Sequence, residues 1–169
     1  MLLLPTLIKL ATGKTELPYQ ISPGIATASK SDMTKLDFVA SRVAYLVDGD
    51  DGGKTWQGQL FEAGVPKSRV RLLPDGVGLE DLLDRELYLD TVAELGGIDR
   101  AQISKAPPSI PIKTAVDSLK LKPKPQGSVA VAEFILGRHE SRYKPIVLDP
   151  DKKHLLKELD AWVLKTIGG

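Results

Sequence analysis

Residues 43–55 read Val43-Ala44-Tyr45-Leu46-Val47-Asp48-Gly49-Asp50-Asp51-Gly52-Gly53-Lys54-Thr55. The first five are apolar and do not alternate with polar residues, which is the pattern of a strand covered on both faces of a parallel sheet. Three aspartates and three glycines follow at once, and the stretch ends in Gly-Lys-Thr. Such a turn can hold a phosphate, hold a hard cation, or hold nothing. The phosphate-loop pattern G-x-x-x-x-G-K-[ST] requires a glycine at position 48, where the chain has Asp48. Asp48, Asp50 and Asp51 also set negative charge where a phosphate loop presents backbone N–H groups.

The cation reading starts from Asp48 and Asp50, one residue apart at the carboxyl end of the strand. In open α/β sheets ligands bind beyond the carboxyl ends of the strands. Mg²⁺ takes one or two carboxylates and completes its shell with water and substrate phosphate oxygens. Gly52 and Gly53 are expected to keep the turn open to a bulky substrate, and Asp51 to face solvent or start the next helix. The plainer reading is that Asp and Gly are common in any turn after a strand. Spacing alone does not choose between these two.

Outward from this turn the chain alternates. Residues 1–12 read as a helix with Leu3, Leu4, Leu7, Ile8 and Ala11 on one side and Pro5 in the first turn. Residues 17–22 (LPYQIS) are a short strand candidate, and residues 32–40 a helix capped by Ser31 or Asp32. After the acidic turn a helix over 55–63 buries Trp56 and Leu60, followed by a strand over 68–73 and a helical stretch over 79–95 in two pieces. Residues 129–136 read as a further helix with an Ala-Val-rich face. The last helix opens on Asp149 as cap and Pro150 as first residue, with Leu155, Leu156, Leu159, Trp162, Val163 and Ile167 as its stripe. Regular helix–strand alternation predicts an α/β fold with a parallel sheet flanked by helices.

The bulk numbers narrow the function classes. The chain has 169 residues, 42% hydrophobic and 27% charged, with a net charge of +1. That charge supplies no global pull toward nucleic acid or membrane, so such binding must come from a local patch. With no cysteine in the chain, metal ligands must be carboxylates or the two histidines, His139 and His154, each of which reads as an isolated surface residue. The N-terminal apolar run is too short to span a bilayer and lacks the basic start of a signal peptide. The expected setting is cytoplasmic, without a membrane. Lys105, Lys113, Lys120, Lys122 and Lys124, interleaved with prolines, make a basic segment that suits either a solvated loop or the track of a DNA backbone. Arg138, Arg142 and Lys144 have the charge to meet phosphate, with nothing in the sequence to fix where they point.

A third carboxylate follows the next strand in Asp75-Gly76-Val77-Gly78-Leu79-Glu80-Asp81. With adjacent parallel strands, Glu80 or Asp81 is expected at the same sheet edge as Asp48 and Asp50; the alternative is that Glu80 only caps a helix.

Together, YLVDGDDGGKTWQGQL, RVRLLPDGVGLEDLL and LYLDTVAEL resemble the topoisomerase–primase (Toprim) domain of the overcoming-lysogenization-defect (OLD) nucleases. Asp48 and Asp50 match the family's D-x-D, and Leu73-Pro74 with Leu79-Glu80-Asp81 match its next acidic segment. LLLPTLIKLA resembles the helix after the first acidic motif and QISPGIA the second strand, so the likeness covers about residues 1–95. It implies a Toprim-like, Rossmann-like parallel sheet with a helical C-terminal extension. Residues 1–104 would form a partial Toprim-like domain, 105–127 a Pro/Lys-rich excursion or linker, and 128–169 a helical part packing on the same domain.

The implied activity is Mg²⁺- or Mn²⁺-dependent cleavage of DNA phosphodiesters. Asp48, Asp50 and Glu80 would be metal ligands, and a catalytic lysine is expected near Lys122 or Lys124, with Lys124 as the candidate. The family's first strand and its glutamate should lie before Met1, and no Walker motif is present. The expectation is therefore a truncated fragment, a split gene or a start at an internal Met, with weak or no activity alone. A homodimer, a separate ATPase chain or the missing N-terminal region would be its partners. Two alternatives are a non-catalytic Toprim-like remnant that binds nucleic acid or protein, and a receiver-like phospho-acceptor domain. The clustering of the aspartates on one turn argues against the second.

Overall fold

The computed structural model describes residues 3–22, 42–121, 125 and 127–168. The elements in chain order are α1 (Leu4–Thr12), β1 (Tyr45–Val47), α2 (Asp51–Glu62), β2 (Val70–Leu72), α3 (Arg85–Gly96), α4 (Arg100–Ile103), α5 (Ile112–Ser118), α6 (Ser128–Glu140) and α7 (Pro150–Gly168). Single 3₁₀ turns at Lys67–Arg69 and Leu79–Leu82 precede β2 and α3. The described residues are thus mostly helical, with one small parallel sheet. They form two compact units, Met1–Ser22 with Leu79–Leu156, and Pro23–Gly78 with Lys157–Gly169.

The helical unit is built from α1, α3, α4, α5, α6 and the first turns of α7. Leu3, Leu4, Leu7, Ile8 and Ala11 are all buried, as the spacing predicts. α1 stops at Gly13, whose φ of 74° is costly for any residue with a Cβ and whose N–H bonds the Lys9 carbonyl at 2.8 Å. The stretch 79–95 does break in two. The 3₁₀ piece ends at Leu82 and Asp84 caps α3, its Oδ1 accepting from Leu87 N at 2.8 Å. The Pro/Lys-rich segment expected as an excursion is in part core, because α5 buries Ile112, Ala115 and Val116. α6 runs from Ser128 to Glu140 and buries Val131, Ala132 and Ile135. Asp149 caps α7 as the sequence predicts, accepting from Lys152 N at 2.9 Å.

Two expectations need comment here. Residues 17–22 carry no strand. Pro18 has no N–H to give a ladder, and residues 17–22 only alternate between half-buried and exposed. The helix expected over 32–40 lies outside the described residues.

The second unit is a β–α–β arrangement. β1 and β2 pair in parallel with Tyr45 opposite Val70, Leu46 opposite Arg71 and Val47 opposite Leu72. Both strands are shorter than the stretches that predict them, 43–47 and 68–73, with three residues each. α2 crosses between them and packs Leu60 onto Tyr45, Val65 and Val70, with Val43, Val47, Trp56 and Phe61 half-buried around this core. It begins at Asp51, four residues before the predicted start, because Asp50 is its cap. The later turns of α7 belong here. Leu159 is buried, while Trp162 is only half-buried rather than core, its Nε1 donating to Ser68 O at 3.3 Å and its ring 5.9 Å from the Arg71 guanidinium. No helix among the described residues is long and apolar enough to cross a membrane.

Candidate functional site

The acidic turn is placed where the strand pattern puts it, at the carboxyl end of β1. Asp48 is half-buried and Gly49 buried, while Asp50 and Asp51 are exposed. Asp50 adopts an extended backbone (φ −88°, ψ −179°) and its Oδ1 accepts from Gly53 N at 2.8 Å. It therefore satisfies one of the N–H groups that open α2, the commonest job of an aspartate before a helix. Asp51 is the first helical residue and faces solvent, as expected.

The turn is held against the one that follows β2. Gly49 N donates to Val77 O at 2.8 Å, Gly76 N donates to Gly49 O at 3.0 Å, and Leu73 N donates to Val47 O at 2.9 Å. This clasp explains two glycines. A Cβ on Gly49 would stand 1.8 Å from the Pro74 carbonyl oxygen, and one on Gly53 would stand 1.8 Å from the Asp48 carbonyl oxygen. Gly53 thus does not keep the turn open; it lets the first turn of α2 close onto the strand end. Only Gly52 has an open side, its nearest neighbour being Asp50 Oδ1 at 3.2 Å.

Lys54 is equally committed. Its ammonium lies 2.6 Å from Asp75 Oδ1 and 3.9 Å from Asp51 Oδ1. The bond from Lys54 and then its charge hold the Asp75 carboxyl below the ordinary carboxylate value, and the same bond raises Lys54. Gly53 N is thus given to Asp50 and the Lys54 ammonium to Asp75, so the glycine N–H and the lysine that a phosphate loop would turn on its ligand are both committed within the protein. Asp75 is the participant that sequence reasoning missed. Its Pro-Asp-Gly context marks a turn, but a partner 21 residues away leaves no local signal.

The other candidate residues belong to the helical unit or fall outside view. Glu80 sits half-buried in the 3₁₀ turn Leu79–Leu82, at the edge of a cavity of about 40 Å³ that also touches Tyr88, Ser128, Leu7 and Val131. Burial raises the Tyr88 hydroxyl above its ordinary value, a hydrogen bond with Ser128 opposes this, and the nearby Glu80 charge adds to the rise. Asp81 has a structural task, its Oδ1 accepting from Ile112 N at 2.8 Å and so capping α5. Lys122 and Lys124 lie outside the described residues. His139, expected as an isolated surface residue, is half-buried and accepts from Ile146 N through Nδ1 at 3.1 Å. Among the described residues no three His, Asp or Glu side chains gather at metal-binding spacing.

No family model, no curated protein and no solved structure matches this chain.

Proposed function

We propose that the chain is a Toprim-like, Rossmann-like domain of a Mg²⁺-dependent endodeoxyribonuclease of the OLD type, with Asp48 and Asp50 as its metal ligands. The observation that carries this reading is the D-x-D at the carboxyl end of β1, beside a parallel partner strand whose following turn is bonded to it. That is the edge at which α/β sheets hold ligands. The donor set fits the cation. Both residues offer hard carboxylate oxygens, and the cap uses only Oδ1 of Asp50. Mg²⁺ asks for no more than two carboxylates when water and a substrate phosphate complete its shell.

Mg²⁺ when bound supplies charge to polarise the phosphodiester and to lower the pKa of a water. The chain's own part is to hold that charge. The clasp through Gly49 fixes the carbonyl path on which Asp48 sits, and α2 fixes Asp50 through its cap. Lys54, bound to Asp75, neutralises the rim of the turn and does not face a phosphate. Lys124 stays the candidate for offsetting charge in the transition state.

The test is nicking of supercoiled plasmid across a Mg²⁺ and Mn²⁺ titration, with Asp48→Ala/Asp50→Ala as comparison. Metal-dependent nicking that the double variant lacks supports the reading. Equal activity in the two proteins sinks it.

A second reading, a binding module without catalysis, is favoured by the use of Asp50 as a helix cap and by the absence of a three-ligand cluster among the described residues. Calorimetry showing no heat with millimolar Mg²⁺ selects it over the first.

A further inference from the structure

We infer that Asp75 is a positioning residue for the metal site: it draws the Lys54 ammonium away from Asp50, so that the Asp50 carboxylate stays open to a divalent cation. The inference rests on the reading of Asp48 and Asp50 as Mg²⁺ ligands. It adds to that site a residue that touches no metal.

The helix itself places Lys54 as a competitor for the cation. α2 starts at Asp51, and Lys54 N donates to Asp50 O at 2.9 Å. A long side chain on a helix leans toward the N-terminus and lies over the residues three and four positions before it. For Lys54 these are Asp51 and Asp50. The ammonium does stand 3.9 Å from Asp51 Oδ1. An acid four residues before a lysine is the ordinary ion pair of a helix surface. Gly53 N already occupies Asp50 Oδ1, so an ammonium on Asp50 would take Oδ2, the oxygen that the cap leaves to a metal. Tethered by its own backbone, that ammonium would compete at high effective concentration.

Asp75 overrides this local preference. It stands on the turn after β2, 21 residues along the chain, yet its Oδ1 is 2.6 Å from Lys54 Nζ, closer than Asp51. The backbone on both sides of Asp75 is held. Gly76 N donates to Gly49 O at 3.0 Å, Gly49 N donates to Val77 O at 2.8 Å, and Val77 N closes the turn on Pro74 O at 2.9 Å. The bonds that fix the strand end carrying Asp48 therefore also fix the carboxylate that holds Lys54. Remove that carboxylate, and the nearest anions within reach of the ammonium are those of its own helix start.

The test is a double-mutant cycle read by Mg²⁺ calorimetry at low salt, on wild type, Lys54→Met, Asp75→Asn and the double variant. Asparagine suits the same turn, so the backbone is kept. Asp75→Asn should weaken Mg²⁺ about threefold when Lys54 is present. In the Lys54→Met background the same change should stay within about 1.5-fold, because no ammonium is released. If Asp75 acted only by its charge through space, or as a ligand itself, it would weaken binding equally in both backgrounds. That result, or no weakening in either, overturns the inference. Carbon-detected NMR of the metal-free protein reads the same event without Mg²⁺. Asp75→Asn should move the Asp50 carboxyl signal when Lys54 is present and leave it in place in Lys54→Met; an equal response in both backgrounds also overturns the inference. Mg²⁺ heat that is absent from wild type, or unchanged in Asp48→Ala/Asp50→Ala, overturns the metal reading and this inference with it. Heat that needs both aspartates, with equal effects of Asp75→Asn in the two Lys54 backgrounds, overturns this inference alone.

Discussion

Lys54 Nζ lies 2.6 Å from Asp75 Oδ1, joining the first turn of α2 to the turn after β2. The two carbonyl ends of the parallel pair are thereby tied by an ion pair in addition to the backbone bonds at Gly49. Because both groups are exposed, salt and solvent screen the pair, and its effect is better seen in titration than in total stability.

The pH dependence of the pair has two limbs. Asp75 is lowered in the folded chain, so its contribution is present above its unfolded value and disappears as pH falls through the folded one. Lys54 is raised, so its contribution is present below its unfolded value and disappears as pH rises through the folded one. Lys54→Met should therefore differ from wild type between the carboxylate and ammonium ranges and converge with it beyond either. Carbon-detected NMR of the Asp75 carboxyl is the direct check: its midpoint should rise in Lys54→Met, and an unmoved midpoint would mean that the pair does not form in solution.

The glycines of the acidic turn differ sharply in what they tolerate. Gly49→Ala and Gly53→Ala each force a Cβ to 1.8 Å from a carbonyl oxygen, so backbone must move. Each should lose about 2–4 kcal/mol in urea unfolding. Gly58, inside α2 with nothing within 4 Å of its would-be Cβ, should go the other way. Gly58→Ala should gain about 0.5–1 kcal/mol from helix propensity and reduced unfolded-state entropy.

Asp50 has one structural role and one proposed chemical role, and substitution separates them. Asp50→Ala removes the acceptor for Gly53 N and should cost about 1 kcal/mol. Asp50→Ser restores a capping oxygen without the charge. It should recover the urea midpoint while leaving Mg²⁺ binding weakened in calorimetry. Mg²⁺ affinity equal to wild type in Asp50→Ser would remove Asp50 from the metal site.

Neighbouring acids in the Leu79–Leu82 turn should behave unequally. Asp81→Ala leaves Ile112 N without its acceptor and should lower stability by about 1 kcal/mol, with faster amide exchange over 112–118. Glu80→Ala keeps the backbone bond from Leu83 N to the residue-80 carbonyl and should stay within about 0.5 kcal/mol of wild type.

Much of the helical fold is legible in the sequence because its signals are local. The spacing of Leu3, Leu4, Leu7, Ile8 and Ala11 marks the buried side of α1. The order Asp149-Pro150 marks the start of α7, and the Asp84 cap divides 79–95. β1 is equally legible as an apolar run, and its place before a helix and a second strand stretch over 68–73 announces a parallel pair. LPYQIS misleads because β-rich composition does not provide a ladder partner, and Pro18 removes a donor. α5 is hidden by the prolines and lysines around it, since its burial depends on what it packs against.

At the candidate site the sequence by itself determined which residue types stand at the carboxyl end of β1, and it argued against the phosphate loop through Asp48 in place of the required glycine and through the charge of Asp48, Asp50 and Asp51. It did not determine what those residues do. That Gly49 and Gly53 close the turn, that Asp50 spends an oxygen on a helix, that Asp81 caps α5 and that Lys54 belongs to Asp75 follow from approaches between segments distant in the chain or from the exact path of the backbone. Chain periodicity records which side of an element is apolar. It carries no record of which donor a given carboxylate meets, because that is fixed by packing to a fraction of an ångström, and only the tertiary structure decides it.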